Sequence, residues 1–270
     1  MQTLAGRLSS KGTLMRHYLI ITALALFASV PLQAADVPTN ITTAVAATER
    51  SDKDHERDVR DRPAELMAFA GIAPGMKIVD VFGGGGYWTE LMARTVAPKG
   101  HVRLLNNAPY AKTPDFANTQ NVIEQRFGSN KLPNVEHQLV EANDLKLGRN
   151  TFDTIVMFMV YHDLYWVNAK AGWPAINAGG FLDQLQAALK PGGRLLIVDH
   201  AAIAGAKSTH AQFLHRIEAA FAKQDIESHG FTLEKTWDGY RNPNDKLNLY
   251  VINPAVRGKT DRFTHLYRKN

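Results

Sequence analysis

The residues that decide the fold of this chain read Ile78-Val79-Asp80-Val81-Phe82-Gly83-Gly84-Gly85-Gly86-Tyr87-Trp88-Thr89-Glu90. A short apolar run ends in an acidic residue, passes into four glycines and continues into a segment suited to a helix. Glycine allows a positive φ angle and lets a ligand approach the main chain closely. The first turn of a helix offers free N–H groups to an anion. The stretch therefore predicts the floor of a nucleotide-type site at the carboxyl end of a central strand.

Outward from this stretch, apolar runs that suit strands alternate with segments that suit helices. The alternation predicts a parallel sheet with helices on both faces. Two late strands have no helix between them and predict an antiparallel pair at the sheet edge. The longest predicted helix covers 211–228. Strands are predicted at 77–81, 101–105, 135–140, 154–160, 194–198, 231–237 and 262–269. The fold class is thus α/β, a doubly wound, mostly parallel seven-stranded sheet with a C-terminal antiparallel hairpin.

The N-terminal residues predict a secretory signal peptide. Arg7, Lys11 and Arg16 precede an uncharged apolar run over 18–30, which is followed by small residues. This run is shorter than the roughly 20 residues that span a bilayer, so no permanent membrane anchor is predicted. Cleavage is expected after Ala34, and the mature protein is expected to be exported, into the periplasm of a Gram-negative bacterium.

Composition narrows the range of partners and of chemistry. The chain has 270 residues and a formal net charge of +5, part of which belongs to the predicted signal peptide. No basic patch interleaved with aromatic residues appears in the rest of the sequence, so nucleic acid is not predicted as a partner. The chain has no cysteine, which excludes disulfides and thiolate chemistry. Nothing in the sequence predicts the oligomeric state.

Three parts are predicted along the chain: a signal peptide over 1–34, a linker over 35–55 and one domain over 56–270. Residues 35–50 are small and polar, which is typical of a linker. The dense mixture of charges over 51–62 is typical of a solvated helix face.

Several motifs together resemble those of the class I S-adenosylmethionine-dependent methyltransferases. Beside the glycine stretch, they are Phe152-Asp153-Thr154-Ile155-Val156 and Leu189-Lys190-Pro191-Gly192-Gly193-Arg194-Leu195-Leu196-Ile197-Val198-Asp199. More narrowly, the segments 60–66, 161–166 and 257–263 resemble a group of exported proteins described as predicted methyltransferases. The resemblance spans about residues 60–270. It implies a Rossmann-like methyltransferase fold, S-adenosylmethionine as the cofactor and methyl transfer as the reaction.

The resemblance also implies which residues bind the cofactor. Phe82 occupies the first glycine of the family's loop motif, where a side chain would crowd the amino-acid end of the ligand unless Gly83 absorbs a small register shift. Where the family has an acid for the ribose hydroxyls, this chain has Asn106, or Asn107 one step on. The adenine amine would meet Glu141, with Asp144 as the alternative. The implied cofactor-binding residues are Asp80, Gly83, Gly84, Gly85, Gly86, Asn106, Glu141 and Asp144.

Methyl transfer requires that the nucleophile, the methyl group and the sulfur be aligned, and it needs a base only for a neutral hydroxyl or a protonated amine. In this fold the end of the fourth strand lies beside the reactive methyl. His162 is there and is predicted to be the catalytic base, since imidazole titrates near neutrality. Asp163 is predicted to orient it or to hold a substrate amine. The alternative is that His162 bonds a loop carbonyl.

A small-molecule acceptor is expected beside these catalytic residues. Tyr161, Tyr165 and Trp166 are predicted to line its pocket. Trp173 and the loop over 165–180 are predicted to cap it. Packing of the same side chains against a neighbouring helix would give a similar sequence.

Two further groups of residues stand out in the sequence. The first group consists of Arg57, Arg60 and Arg62. The hypothesis is that these arginines extend over the cofactor and contact its carboxylate. His210 and His215 form the other, but they are five residues apart and do not share the helix face of an i, i+4 metal pair. No metal site is therefore predicted, although both histidines could converge with His162 and Asp199.

Other functions stay open, because S-adenosylmethionine is made in the cytoplasm whereas the chain is predicted to be exported. An exported protein can keep this fold and bind a ligand without catalysis, or use another cofactor. A purely structural role would show no ligand-dependent stabilisation. Methyl transfer is the favoured function.

Overall fold

The structure, a computed structural model, describes residues 37–270, so the predicted signal peptide lies outside the described residues. One seven-stranded sheet has the strand order β3-β2-β1-β4-β5-β7-β6. Strands β1 to β5 are parallel, and β7 runs antiparallel between β5 and β6. The fold-class prediction is confirmed. The strands are β1 (Lys77–Val81), β2 (His101–Asn107), β3 (Val135–Val140), β4 (Phe152–Phe158), β5 (Leu189–His200), β6 (Phe231–Thr236) and β7 (Arg262–Lys269).

Helices cover both faces of the sheet. Leu66 of α3 and Leu91 of α4 pack with Ile78 of β1 in one core. Leu182 of α7 and Ile226 of α9 belong to the core on the opposite face. Within residues 37–270, none of the helices is both long and apolar enough to cross a membrane. The helices are α1 (Thr39–Val45), α2 (Asp52–Asp61), α3 (Pro63–Ala70), α4 (Tyr87–Val96), α5 (Ala108–Ala111), α6 (Phe116–Phe127), α7 (Ala178–Ala188), α8 (Thr209–Leu214) and α9 (Ala219–Ser228).

The predicted linker over 35–55 is wrong for the residues that the structure describes. Residues Thr39–Val45 form α1, and residues from Asp52 onward belong to α2. Ile41 and Ala44 lie about one helical turn apart and are both buried, and Ile41 belongs to the same core as Leu91 of α4. A helix this short depends on such packing rather than on intrinsic propensity, so the sequence of small residues gave little sign of it.

The prediction of one long helix over 211–228 is also wrong, because the helix is interrupted between the end of α8 and the start of α9. His215 has a left-handed backbone with φ +50°. The backbone N–H of Ile217 donates to the carbonyl of His200 at 2.9 Å, beside the end of β5. Arg216 is fully buried and its guanidinium bonds Asp245 at 2.9 Å. The break is therefore fixed by distant partners, which a helical period cannot reveal.

Candidate active site

A cavity of about 1330 Å³ lies over the glycine loop, at the carboxyl end of β1. Residues 83–85 line its floor. Its walls come from α2, the start of α4, α6 and the end of β4. The carboxyl edge of the parallel strands is where open α/β sheets bind their ligands. The structure therefore places a ligand-sized space where the glycine stretch predicts one.

The glycine loop needs its glycines for two different reasons. Gly84 has φ +58°, and a Cβ added there would meet nothing within 4 Å. Its bare backbone therefore faces open space, where a ligand can approach it. A Cβ on Gly83 would instead come within 2.4 Å of Oδ2 of Asp80. Gly83 thus allows the loop to fold back closely over the acidic residue that ends the apolar run.

Asp80 lies under the loop with no solvent exposure. The hydroxyl of Thr89 donates to its Oδ2 at 2.6 Å. Burial raises the pKa of this carboxyl to about 7, against the opposing effect of the Thr89 bond. Oδ1 has no hydrogen-bond partner among residues 37–270. Buried polar atoms are seldom left unpaired, but Asp80 lies beneath the glycine loop and outside the described lining of the cavity.

Asn106 has a different environment from the one predicted. Its Oδ1 accepts from the N–H of Gly84 at 3.1 Å, and its Nδ2 donates to the carbonyl of Gly84 at 3.0 Å. Nδ2 also lies 3.2 Å from Nε2 of His137. The amide thus holds the loop in place. A ribose contact by Asn106 stays a prediction and would require one of these bonds to be exchanged. Asn107 is buried, and its Nδ2 donates to the carbonyl of Gly172 at 3.0 Å.

Glu141 and Asp144, the predicted adenine partners, follow β3 in an exposed turn. The N–H of Asp144 donates to the carbonyl of Glu141 at 2.9 Å. The Asp144 carboxylate pairs with Lys146, which lowers its pKa. Neither residue belongs to the described lining of the cavity. Their role as adenine partners stays a prediction.

Phe82 takes the place of the motif's first glycine with a left-handed backbone of φ +53°. Its ring packs edge-on against Trp173, at 5.4 Å between centroids, and at a tilt against Phe181, at 5.7 Å. The side chain is 7 % exposed. Most of the ring therefore lies in the core, and only a small part of it borders the cavity.

The helix α2 forms a charged wall of the cavity. The predicted solvated face is wrong for this run, because Asp54 and Asp61 are buried. Arg57 and Arg60 line the cavity, and both donate to Asp61, at 2.6 and 2.8 Å. Arg62 lies outside this lining and bonds the carbonyl of Gly239 at 3.0 Å. Two of the three predicted arginines thus reach the site.

Asp61 ties this wall to the C-terminal part of the chain. The hydroxyl of Tyr240 donates to its backbone carbonyl. Arg262 of β7 lies 3.8 Å from its carboxylate. The charge of the neighbouring Arg60 and Arg57 outweighs the effect of burial and lowers the pKa of Asp61. The carboxylate therefore remains charged and anchors α2 against β7.

Arg126 is a site residue that the sequence analysis missed. It extends from α6 to the carbonyl of Gly85 at 3.0 Å and to Asp54 at 2.7 Å, and it also pairs with Glu90. Nothing in the local sequence distinguishes it from a surface arginine. The only available signal was the pair of acids on two other predicted helices.

His162 and Asp163 come together near the carboxyl ends of β4 and β5. Nδ1 of His162 lies 2.7 Å from Oδ1 of Asp199, and Nε2 lies 3.2 Å from Oδ1 of Asp163 and 3.1 Å from Nδ1 of His215. Burial alone lowers the pKa of His162, but the two carboxylates raise it to about 10. At that pKa the imidazole holds its proton at neutral pH unless a bound cation displaces it. This environment does not favour the predicted role of a base.

The predicted acceptor residues form a separate cluster. The hydroxyls of Tyr161 and Tyr165 both donate to Asp225 of α9. Trp166 lies 6.0 Å from Trp173 and 4.5 Å from the ring of His215. None of the predicted catalytic or acceptor residues belongs to the described lining of the cavity. Their contact with an acceptor stays a prediction.

Comparison with known proteins identifies the class. A family model described as a methyltransferase domain matches residues 53–251. The chain therefore belongs to the methyltransferase domain family, and the predicted class, the class I S-adenosylmethionine-dependent methyltransferases, is confirmed.

Individual relatives agree with this assignment. The chain is 28% identical over 194 residues to the ubiquinone/menaquinone biosynthesis C-methyltransferase UbiE of Teredinibacter turnerae. The matched region covers 71% of this chain and 68% of the relative. A SAM-dependent methyltransferase from Aquifex aeolicus has a similar fold, with a TM-score of 0.55, 19% identity and coverage of 82% and 100% of the two chains. A Burkholderia thailandensis 1,6-didemethyltoxoflavin-N1-methyltransferase with bound S-adenosylhomocysteine is also similar in fold. Its TM-score is 0.50 and its identity 20%, and the match covers 80% of this chain and 83% of that chain.

Proposed function

We propose that the chain transfers the methyl group of S-adenosylmethionine to a small-molecule acceptor that binds in the cavity over the glycine loop. The main observation behind this proposal is that Gly84, on the floor of this cavity, has no side chain and faces open space. Membership of the methyltransferase domain family supports the same reaction.

The residues present fit the amino-acid end of such a cofactor. Oδ1 of Asp80 is an unpartnered buried acceptor within residues 37–270 and suits an ammonium group that reaches beneath the glycine loop. Arg57 lines the cavity, and its guanidinium suits a carboxylate. When bound, the cofactor supplies a methyl group on a sulfonium, which is a strong electrophile. The protein then has mainly to align the acceptor and to exclude water.

Two aromatic rings in the lining of the cavity favour a flat or apolar acceptor. Trp88 and Phe158 line the cavity, and their rings stack at 4.3 Å between centroids. Nε1 of Trp88 is buried and has no hydrogen-bond partner in the described part of the chain. This N–H can donate to a polar group on the acceptor or the cofactor, while the ring faces supply apolar contact.

A calorimetric titration with S-adenosylhomocysteine tests the proposal. We expect micromolar binding by the wild type and its loss in Gly84→Asn, which places a side chain in the open space while tolerating a positive φ angle. Gly192→Asn is the matched control, because Gly192 also has a positive φ and an open Cβ position but lies in β5 away from the cavity.

The alternatives predict other outcomes of the same titration. No binding by the folded wild type would contradict methyl transfer and favour another cofactor. Binding that supports no methyl transfer to any acceptor in a screen of small molecules would favour a binding protein.

We also propose that the protein is exported, because the N-terminal residues have the pattern of a signal peptide. Sequencing of the mature N-terminus from a fractionated Gram-negative host tests this. Ala35 in the periplasmic fraction is the expected first residue. An uncleaved N-terminus in the cytoplasmic fraction would contradict export.

A further inference from the structure

Three side chains near the carboxyl ends of β4 and β5 direct ligand atoms at one another. They are His162, Asp163 and His215, and their facing atoms are Nε2, Oδ1 and Nδ1. The pairwise distances are 3.1 Å between the two nitrogens, and 3.2 and 3.5 Å from the nitrogens to the carboxylate oxygen. The three atoms thus form a nearly equilateral triangle.

This triangle has the size of one face of a metal coordination shell. Zinc bonds of about 2.0–2.2 Å to imidazole and carboxylate place tetrahedral ligand atoms about 3.3–3.6 Å apart. Two imidazoles and one carboxylate are also the donor set preferred by divalent first-row transition metals. An ordinary hydrogen-bonded trio satisfies the same distances, so the outer contacts of the three residues decide between the two.

The outer contact of His162 favours a metal. Asp199 is fully buried. Its Oδ1 lies 2.7 Å from Nδ1 of His162, and its Oδ2 accepts a hydrogen bond of 2.8 Å from the backbone N–H of His162. Metal-bound histidines are typically held in this way, with the far ring nitrogen on a carboxylate. The contact fixes the ring so that Nε2 faces Asp163 and His215.

The third ligand residue, His215, lies in the segment that interrupts the helix between α8 and α9, and this segment places its side chain in the cluster. His215 is held at φ +50° between the two helices, and its ring packs 4.5 Å from Trp166 and 5.1 Å from Tyr250. The side chains of Asp163 and His215 are 12% and 15% exposed. The cluster is therefore rigid on its inner side and reachable by a small ion from outside.

We propose that His162, Asp163 and His215 bind one divalent transition-metal ion, with Asp199 positioning His162 and the fourth coordination position open to solvent or to an exogenous ligand. The site differs from the sequence prediction, which contained no metal site. It lies outside the described lining of the cavity and does not depend on the function proposed above.

Metal binding to the full chain, expressed without a histidine tag and stripped with a chelator, tests the proposal. We expect calorimetry to show one Zn²⁺ per chain, and Co²⁺ to give the visible absorption of a four-coordinate site, whereas Mg²⁺ gives neither. We expect His215→Ala and Asp163→Asn to weaken Zn²⁺ binding by about 100-fold or more. Asp199→Asn should weaken it by about 10- to 100-fold with the stoichiometry unchanged.

His229→Ala is the matched control, because this histidine also pairs with an aspartate, Asp183 at 2.7 Å, but on another part of the surface. It should bind Zn²⁺ like the wild type. If His215→Ala fails to fold by circular dichroism, the near-isosteric Asp163→Asn decides. Absence of binding by the folded wild type, or equal binding by wild type and Asp163→Asn, would overturn the proposal.

Discussion

Arg126 of α6 donates a hydrogen bond of 3.0 Å to the carbonyl oxygen of Gly85 in the glycine loop. The same guanidinium pairs with Asp54 of α2 and with Glu90 of α4. Burial raises the pKa of Asp54, but the hydrogen bond and charge of Arg126 outweigh it and lower the pKa. One side chain therefore links the floor of the cavity to two of its walls.

Replacing Arg126 with methionine should leave two buried carboxylates without this partner. We expect Arg126→Met to lower the free energy of unfolding by about 3 kcal/mol, since breaking a buried ion pair on one side costs about 3–5 kcal/mol. Lys223→Met, which breaks the exposed pair of Lys223 with Glu227, should cost about 1 kcal/mol or less. Urea unfolding of both variants measures the difference, and equal losses would contradict the linking role.

Asp80 should make the stability of the fold depend on pH. Burial raises the pKa of its carboxyl from 3.8 to about 7, against the bond from Thr89. Between these values the unfolded chain has released the proton and the folded chain retains it. The wild type should therefore lose stability relative to Asp80→Asn as the pH rises from about 4 to about 7, by at most about 4 kcal/mol.

Urea unfolding of the wild type and of Asp80→Asn at pH 4.5, 6 and 7.5 measures this effect. The difference between the two proteins isolates Asp80 from the other titrating groups. Two parallel pH profiles would show that the carboxyl does not titrate in this range.

Arg57 and Arg62 should differ in their effect on ligand affinity, since only Arg57 lines the cavity. We expect Arg57→Gln to weaken S-adenosylhomocysteine binding about tenfold or more, through the lost charge-assisted bond to the carboxylate. Methylthioadenosine lacks that carboxylate and should lose little affinity. Arg62→Gln should leave the affinities for both ligands unchanged. Calorimetry measures all four affinities, and equal losses for the two ligands would argue against a carboxylate contact.

Phe82→Gly should be destabilising even though it relieves an unfavourable backbone. The left-handed conformation costs a non-glycine residue about 1–2 kcal/mol. Loss of the buried ring costs about 3–5 kcal/mol, as for other large-to-small core changes. We expect a net loss of about 2–3 kcal/mol in the free energy of unfolding, measured by urea. A stabilised variant would mean that the ring contributes little against Trp173 and Phe181.

Most of the fold was accessible from the sequence, because the central strands β1 and β4 are largely apolar and because turn residues separate strands from helices along the chain. The bounds of β1, β3 and β7 agree with the prediction residue by residue. The break at His215 was not accessible, because Arg216 is drawn inward by Asp245, which lies far along the chain.

The candidate site shows the same division between local and distant information. The glycine loop was predictable, since backbone conformation and close approach restrict the residue types allowed there. The partners of Asn106 and His162 were not, because a side chain's nearest hydrogen-bonding group is set by the assembled sheet. Arg126 and Asp199 acquire their roles only in three dimensions.

The anchoring of Asp61 bears on the order in which the molecule is built. The carbonyl of Asp61 accepts from Tyr240, which lies 179 positions further along the chain, and its carboxylate lies beside Arg262 in the last strand. A nascent polypeptide therefore makes α2 early, but the Asp61 end of this helix lacks these two partners until translation is almost complete. If the chain crosses a membrane unfolded, the ligand cavity first closes on the far side, and the ligand must be captured there.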